Sequence, residues 1–332
     1  MEKTLVTLTS GKNYFTFDQE RAGTVCSYLA QAWRNQEKFY SQCVQPEVIF
    51  LPSEIEYGSL DHALFLFAFA EINRAGNSTA IAMEKGAPLF AKYRWMIDPN
   101  KQFNRKIFEK EMVKVMSYVS TTTPKGIEEF DRRIQGWRDN LNRLRKYYDG
   151  DPRNIFFNSE RTRQSLIGEI MKFYGFGHKV SQLMIIWFQD INWPENQNDW
   201  VEINQIPAIP ADMWVERAIN NLGILVDWSC DHREAASLPV SDFLVDVCIK
   251  YEIDWSDLSQ ALWHLGSTIC KKVPKHRSRV YCSGRCPAYD MCEKRTIGSL
   301  HTRHNKGRLR WDKPEPHHRL LFPEFEPKDL PK

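Results

Sequence analysis

Four of the eight cysteines fall within 23 residues, at Cys270, Cys282, Cys286 and Cys292, while Cys26, Cys43, Cys230 and Cys248 are scattered. In an intracellular chain, crowded thiols read as a metal or iron–sulfur site rather than as disulfides. Four thiolates suit a [4Fe–4S] cluster, and they also suit tetrahedral zinc; free or disulfide-bonded cysteines are the remaining reading. A second constellation, Gly175-Phe176-Gly177-His178-Lys179, joins two apolar helical stretches. Its glycines permit positive φ and close approach of a backbone to a ligand. The second helix starts at once, so its first N–H groups point out of the turn and suit an anion such as a DNA phosphate. A plain helical turn explains the same residues without a ligand. Third, Asp212 follows Ile209-Pro210-Ala211 and starts a helix. An N-cap role is enough to account for it.

Charge is distributed unevenly around these groups. The net charge is +3, yet residues 271–332 hold sixteen Lys or Arg against seven Asp or Glu, leaving the first 270 residues at −6. A basic end on an acidic body points to a polyanion partner or to a solvated tail. Hydrophobic residues at 42% and aromatics at 13% exclude wholesale disorder. The longest apolar runs, 63–70 and 183–188, are too short to span a bilayer. The N-terminal stretch lacks a basic segment followed by an apolar one, so no signal peptide is expected. The expectation is an intracellular protein with no membrane partner.

Taken in order, three features resemble the helix–hairpin–helix DNA glycosylases, the superfamily of endonuclease III and 8-oxoguanine DNA glycosylase. They are Gly175-Phe176-Gly177-His178-Lys179, then Pro210-Ala211-Asp212 followed by Val215, Arg217 and Leu222-Gly223, then the four cysteines. The resemblance covers about residues 158–292. It implies an enzyme that flips a nucleotide out of double-stranded DNA and excises a damaged or modified base. Lys179 matches the position of the family's catalytic lysine and Asp212 that of its catalytic aspartate. The carboxylate would stabilise positive charge growing at C1′. The lysine amine would attack C1′, form a Schiff base and cleave the strand by β-elimination. That attack needs the neutral amine, which burial or a neighbouring cation favours. A lysine that only grips phosphate would leave a monofunctional glycosylase, for instance for a naturally modified base such as hypermodified phage cytosine. A non-catalytic DNA-binding module is the competing class.

The resemblance also implies DNA contacts at Gly175, Gly177 and His178, and a [4Fe–4S] cluster on Cys270, Cys282, Cys286 and Cys292. The loop carrying Lys271, Lys272, Arg277 and Arg279, between two of those cysteines, would meet phosphate. Backbone carbonyls at Met171, Phe173 and Phe176 would hold a monovalent cation. A monomer is expected. Several features depart from the family pattern. Tyr174 stands where the family usually has proline. The cysteines are spaced Cys-x11-Cys-x3-Cys-x5-Cys, against the family's Cys-x6-Cys-x2-Cys-x5-Cys. Lys179 and Asp212 are 33 residues apart, well beyond the family's gap of about 18. The extra segment carries Trp193 and Trp200, which either stack on bases or pack beneath a surface loop.

The elements that must carry these groups are mostly helical by periodicity. Residues 1–20 look strand-like or irregular. Ala63, Phe65, Leu66, Ala68, Phe69 and Ile72 give one apolar helix face, and Phe108, Met112, Val115 and Met116 another. Trp137, Leu141, Leu144 and Tyr148 give a third. Residues 148–154 form a turn. Asn158 and Ser159 are placed to cap a helix that turns Leu166, Ile167, Ile170 and Phe173 inward. Residues 189–210 read as a loop or short hairpin. Helices follow over 212–221, 240–251 and 255–269, and after Cys292 an irregular basic, Pro-rich arm. The expected class is all-α, with the helix–hairpin–helix glycosylase fold of two helical domains and a C-terminal four-Cys module. Its parts are an N-terminal segment (1–57) contributing to the second domain, a six-helix barrel-like domain (58–210) with the hairpin at 160–188, a cluster-bearing helical domain (211–295) and the arm (296–332). DNA would cross the cleft between the domains, with Lys179 facing Asp212.

Overall fold

The structure is a computed structural model that describes residues 4–43, 51–72, 79–116, 121–193, 197–230, 236–270 and 285–292. In chain order its elements are β1 (Leu5–Ser10), β2 (Asn13–Asp18), α1 (Gln19–Arg34), α2 (Leu60–Ile72), α3 (Thr79–Lys92), α4 (Arg105–Val115) and α5 (Pro124–Tyr147). They continue with α6 (Arg153–Phe157), α7 (Arg163–Ile170), α8 (His178–Gln189), α9 (Gln197–Ile203), α10 (Met213–Asn221), β3 (Leu225–Ser229), α11 (Ser237–Lys250) and α12 (Trp255–His264). A π-helical turn, Leu265–Ile269, ends the series. The 296–332 arm lies outside the described residues. The chain is mostly helical and divides into two compact units, residues 44–207 and residues 1–43 with 208–332.

The unit built from both chain ends contains a three-stranded sheet; β1 and β2 fall in the 1–20 stretch expected to be strand-like or irregular, while β3 is not expected from the sequence. β1 and β2 form an antiparallel hairpin around Gly11, whose φ is +62°, and β3 adds antiparallel to β2. At five residues β3 is too short for alternation to stand out in sequence. Phe15 and Phe17 are fully buried, and Phe17 stacks on Phe243 of α11 at 4.1 Å. Asp18 ends β2 and caps α1, accepting the Arg21 amide at 3.0 Å.

In the other unit, α2 is buried on every side from His62 to Ile72 rather than on one face. A helix apolar all round belongs in the middle of a core, so Leu64 and Phe67 join the residues expected there. α5 starts on a Thr123 cap with Pro124 at its first position, where the missing N–H costs nothing. It buries Phe130, Ile134, Trp137, Leu141 and Leu144 at helical spacing. The Trp137 indole donates to the Met96 carbonyl at 2.8 Å, which satisfies its one polar atom.

Candidate functional site

α7, α8 and the turn between them build the hairpin. α7 is capped by Thr162, which accepts the Ser165 amide at 3.2 Å, and not by Asn158 or Ser159. Ser159 is spent on the preceding helix end: its hydroxyl donates to the Phe156 carbonyl at 2.9 Å. The two glycines of the turn differ. Gly175 has φ +83°, a conformation that disfavours any side chain. Gly177 is extended, with φ −101° and ψ 179°, and a Cβ there would meet nothing within 4 Å. The fold therefore needs glycine at 175 and leaves open space over 177. Behind it α8 begins with the Ser181 amide donating to the Gly177 carbonyl at 2.9 Å. Gly177 and His178 are exposed and Lys179 is half-buried.

The turn is fastened from beneath by α5, through residues that periodicity did not single out. The Asn140 amide donates to the Tyr174 carbonyl at 3.0 Å and accepts the Tyr174 N–H at 2.6 Å. One turn earlier, a Cβ at Gly136 would lie 1.8 Å from the Tyr174 ring, so only glycine admits that ring. Tyr174 is thus held by packing and by both of its peptide groups. Phe173 and Phe176 are buried against Phe67, at 5.1 and 5.2 Å. Of the three carbonyls considered for a cation, that of Phe173 accepts the Phe176 amide at 3.2 Å.

The described part of the insertion after α8 is not a plain loop: it holds a helix and buried tryptophans. α9 forms inside it, and the Gln189 amide ties its end by donating to the Ile203 and Ile206 carbonyls at 2.7 and 2.8 Å. Trp193 and Trp200 are 2% and 3% exposed and stack on each other at 5.7 Å. Trp200 also packs on Phe156 and Phe157, and the Trp193 indole donates to the Phe188 carbonyl at 2.8 Å. Between the two readings of these tryptophans, the packed one holds; rings this buried offer no face to a base.

Asp212 lies on the other unit and caps α10. Its Oδ1 accepts the amides of Trp214 at 2.8 Å and Val215 at 3.2 Å. The turn before it is pinned by Ser237 donating to the Ala211 carbonyl at 2.6 Å and Ser241 to that of Ile209 at 2.8 Å. The start of α10 lies directly on the π-helical turn: a Cβ at Gly266 would sit 2.0 Å from the Trp214 carbonyl oxygen. The Arg217 guanidinium lies 5.1 Å from the Trp214 ring; burial lowers its pKa and Cys270 works against that.

Cys270 follows the π-helical turn, and Cys286 and Cys292 lie on the 285–292 segment. Side chains hold that segment by its carbonyls: Lys38 donates to that of Cys286 at 3.1 Å and Arg21 to that of Met291, Arg21 also donating to the Leu222 carbonyl at 2.5 Å. The Cys292 thiol donates to the Asn221 carbonyl at 3.2 Å. Buried Tyr40, whose hydroxyl donates to the Ala261 carbonyl at 2.9 Å, has its pKa pushed well up, first by burial and then by charge at Cys286, Cys43 and Cys270. Asn220, Asn221, Ser267 and Thr268 add buried side-chain polar atoms without a hydrogen-bond partner among the described residues. Of these, the Asn220 Nδ2 and the Ser267 and Thr268 hydroxyls can donate to the sulfurs of a sulfur-rich centre, whereas the Asn220 and Asn221 Oδ1 atoms only accept; the thiols and these three donors suit such a centre. Among the described residues, however, no three His, Cys, Asp or Glu side chains form a ligand group. Cys282, Lys271, Lys272, Arg277 and Arg279 lie outside the described residues.

The structure therefore gathers Gly175, Gly177, His178 and Lys179 on one unit, and Asp212 with Cys270, Cys286 and Cys292 on the other. No helix among the described residues is long and apolar enough to cross a membrane. No family model matches the chain, and a search of curated proteins finds no significant match.

Proposed function

We propose that the chain is a DNA glycosylase with strand-cleaving lyase activity, acting on a nucleotide flipped from double-stranded DNA. The observation that carries this reading is Gly177: the fold does not require glycine there, yet its site opens onto solvent at the start of α8. A glycine without a conformational reason at a helix start suits close approach of a phosphate to backbone amides. The motif order of hairpin, capping aspartate and cysteines supports the same reading.

Lys179 is assigned the nucleophile. Its amine attacks C1′, the C1′–N bond breaks with its electron pair leaving on the base, and the base takes up a proton. The attacking nitrogen loses one proton, the C1′–O4′ bond breaks as O4′ takes up a proton, and the resulting iminium loses a C2′ proton as the 3′ phosphate leaves by β-elimination. Asp212 is assigned the carboxylate that stabilises charge at C1′. Cys270, Cys282, Cys286 and Cys292 would hold a [4Fe–4S] cluster, or zinc, which when bound supplies a structural cross-link.

Asp212→Asn tests the assignment cleanly, because asparagine caps a helix as well as aspartate does. On a panel of duplexes with oxidised, alkylated, deaminated and glucosylated bases, the variant should bind DNA as before and lose base release. Unchanged base release would remove Asp212 from the chemistry. Duplex binding without base release by the unmodified protein on any substrate would favour the non-catalytic module.

A further inference from the structure

The corner where α5 ends beside the hairpin concentrates charge that the proposed reaction does not use. Tyr147 is 53% exposed. The Lys146 ammonium lies 4.8 Å and the Arg143 guanidinium 5.3 Å from its ring centre. Arg143 also lies 5.9 Å from the ring of Phe173, inside the hairpin turn. Its Nε is buried with no hydrogen-bond partner. Lys146 at the hydroxyl, and then Arg143, lower the Tyr147 phenol from its ordinary range. The carboxylate of this corner, Glu169, is already engaged by Lys172 and by the Tyr148 hydroxyl at 2.9 Å. Among the described residues neither Arg143 nor Lys146 forms an ion pair within 4 Å, although Arg143 also acts on the Tyr148 hydroxyl and, through its charge, on Glu169.

Two cations thus flank one exposed phenol ring, next to the turn whose backbone meets phosphate in the reading above. Guanidinium and ammonium donors recognise phosphate oxygens, and an exposed ring edge suits the sugar beside them. We propose that Arg143, Lys146 and Tyr147 form a second contact for the duplex backbone, a phosphate site flanking the hairpin. It rests on the hairpin binding DNA. It carries no base specificity, so its contribution is sequence-independent and salt-sensitive.

The test is equilibrium binding of a short fluorescent duplex without a lesion between about 50 and 200 mM salt. Lys146→Gln should weaken binding at low salt and reduce the log–log salt slope by about 0.9, the value of one released phosphate contact. Lys146→Arg should keep the slope of the unmodified protein. Because Lys146 is exposed, both variants should melt with it. A slope unchanged in Lys146→Gln would overturn this site and leave the hairpin reading intact. Absence of duplex binding by the unmodified protein would overturn both.

Discussion

The hairpin and the thiol-bearing end are held in opposite ways. The hairpin is complete within its own unit: Asn140 satisfies both peptide groups of Tyr174, Gly136 receives its ring, and three phenylalanines close the base. The thiol end is tied by side chains reaching single carbonyls, and its unpartnered buried polar atoms cluster on α10 and the π-helical turn, whereas those of the hairpin's unit, such as the Arg143 Nε, are spread along several elements. Buried polar groups in native proteins find partners. The difference teaches that the hairpin turn is fixed by hydrogen bonds and packing among the described residues, while the thiol-bearing end leaves room for a further partner, which we propose to be a cross-link. A four-thiolate centre is the group that the sequence offers for that purpose.

The largest expected effect follows from that contrast. Chelation, or Cys286→Ser, should cost the thiol-bearing unit a large part of the ~10–16 kcal/mol that structural metal sites draw from their ligands. Thermal melting with and without chelator checks this, and an unchanged melt would place the cysteines outside any metal site. Next comes the clamp. Asn140→Ala should cost about 1–3 kcal/mol, because two backbone groups lose their partner. Gly136→Ala should cost about as much by displacing the Tyr174 ring. In a double-mutant cycle, adding Tyr174→Ala should recover most of the Gly136→Ala loss; additive losses would mean that the ring does not depend on that glycine.

A smaller effect distinguishes fold from binding. Gly177→Ala should change stability by no more than about 1 kcal/mol, since its φ and surroundings admit a methyl group. Duplex affinity should nonetheless fall, as the methyl intrudes on the phosphate. Equal affinity in this variant would show that the open space over Gly177 is not used. The smallest effect is a pH slope. His62 accepts the Gly58 amide on Nδ1 at 3.1 Å, and burial lowers its pKa from 6.5 to about 4. Between those values the unfolded chain binds a proton that the folded chain does not, so stability declines as pH falls from about 6.5 to about 4. His62→Gln should flatten that part of the stability–pH curve; an unchanged slope would assign it to other groups.

Helical periodicity located α10 and its Asp212 cap, and the inward side chains of α5 and α7, because their apolar residues recur at helical spacing. It could not locate β3, whose partner strand lies some two hundred residues earlier, nor α9, which sits among Pro, Asn and Gln. The Asn140 and Gly136 clamp was invisible for a different reason. A mid-helix Asn or Gly has meaning only once the partner across the contact is known, and that partner, Tyr174, read as a departure from a pattern. The two tryptophans of the insertion were open to either reading because residue type alone does not say which way a ring faces.

Lys179 as nucleophile is tested most directly by borohydride trapping on duplexes carrying an abasic site and a panel of altered bases. The expected result is a covalent protein–DNA adduct on at least one duplex that disappears in Lys179→Gln. An adduct that persists in Lys179→Gln, or no adduct on any duplex including the abasic site, would contradict it.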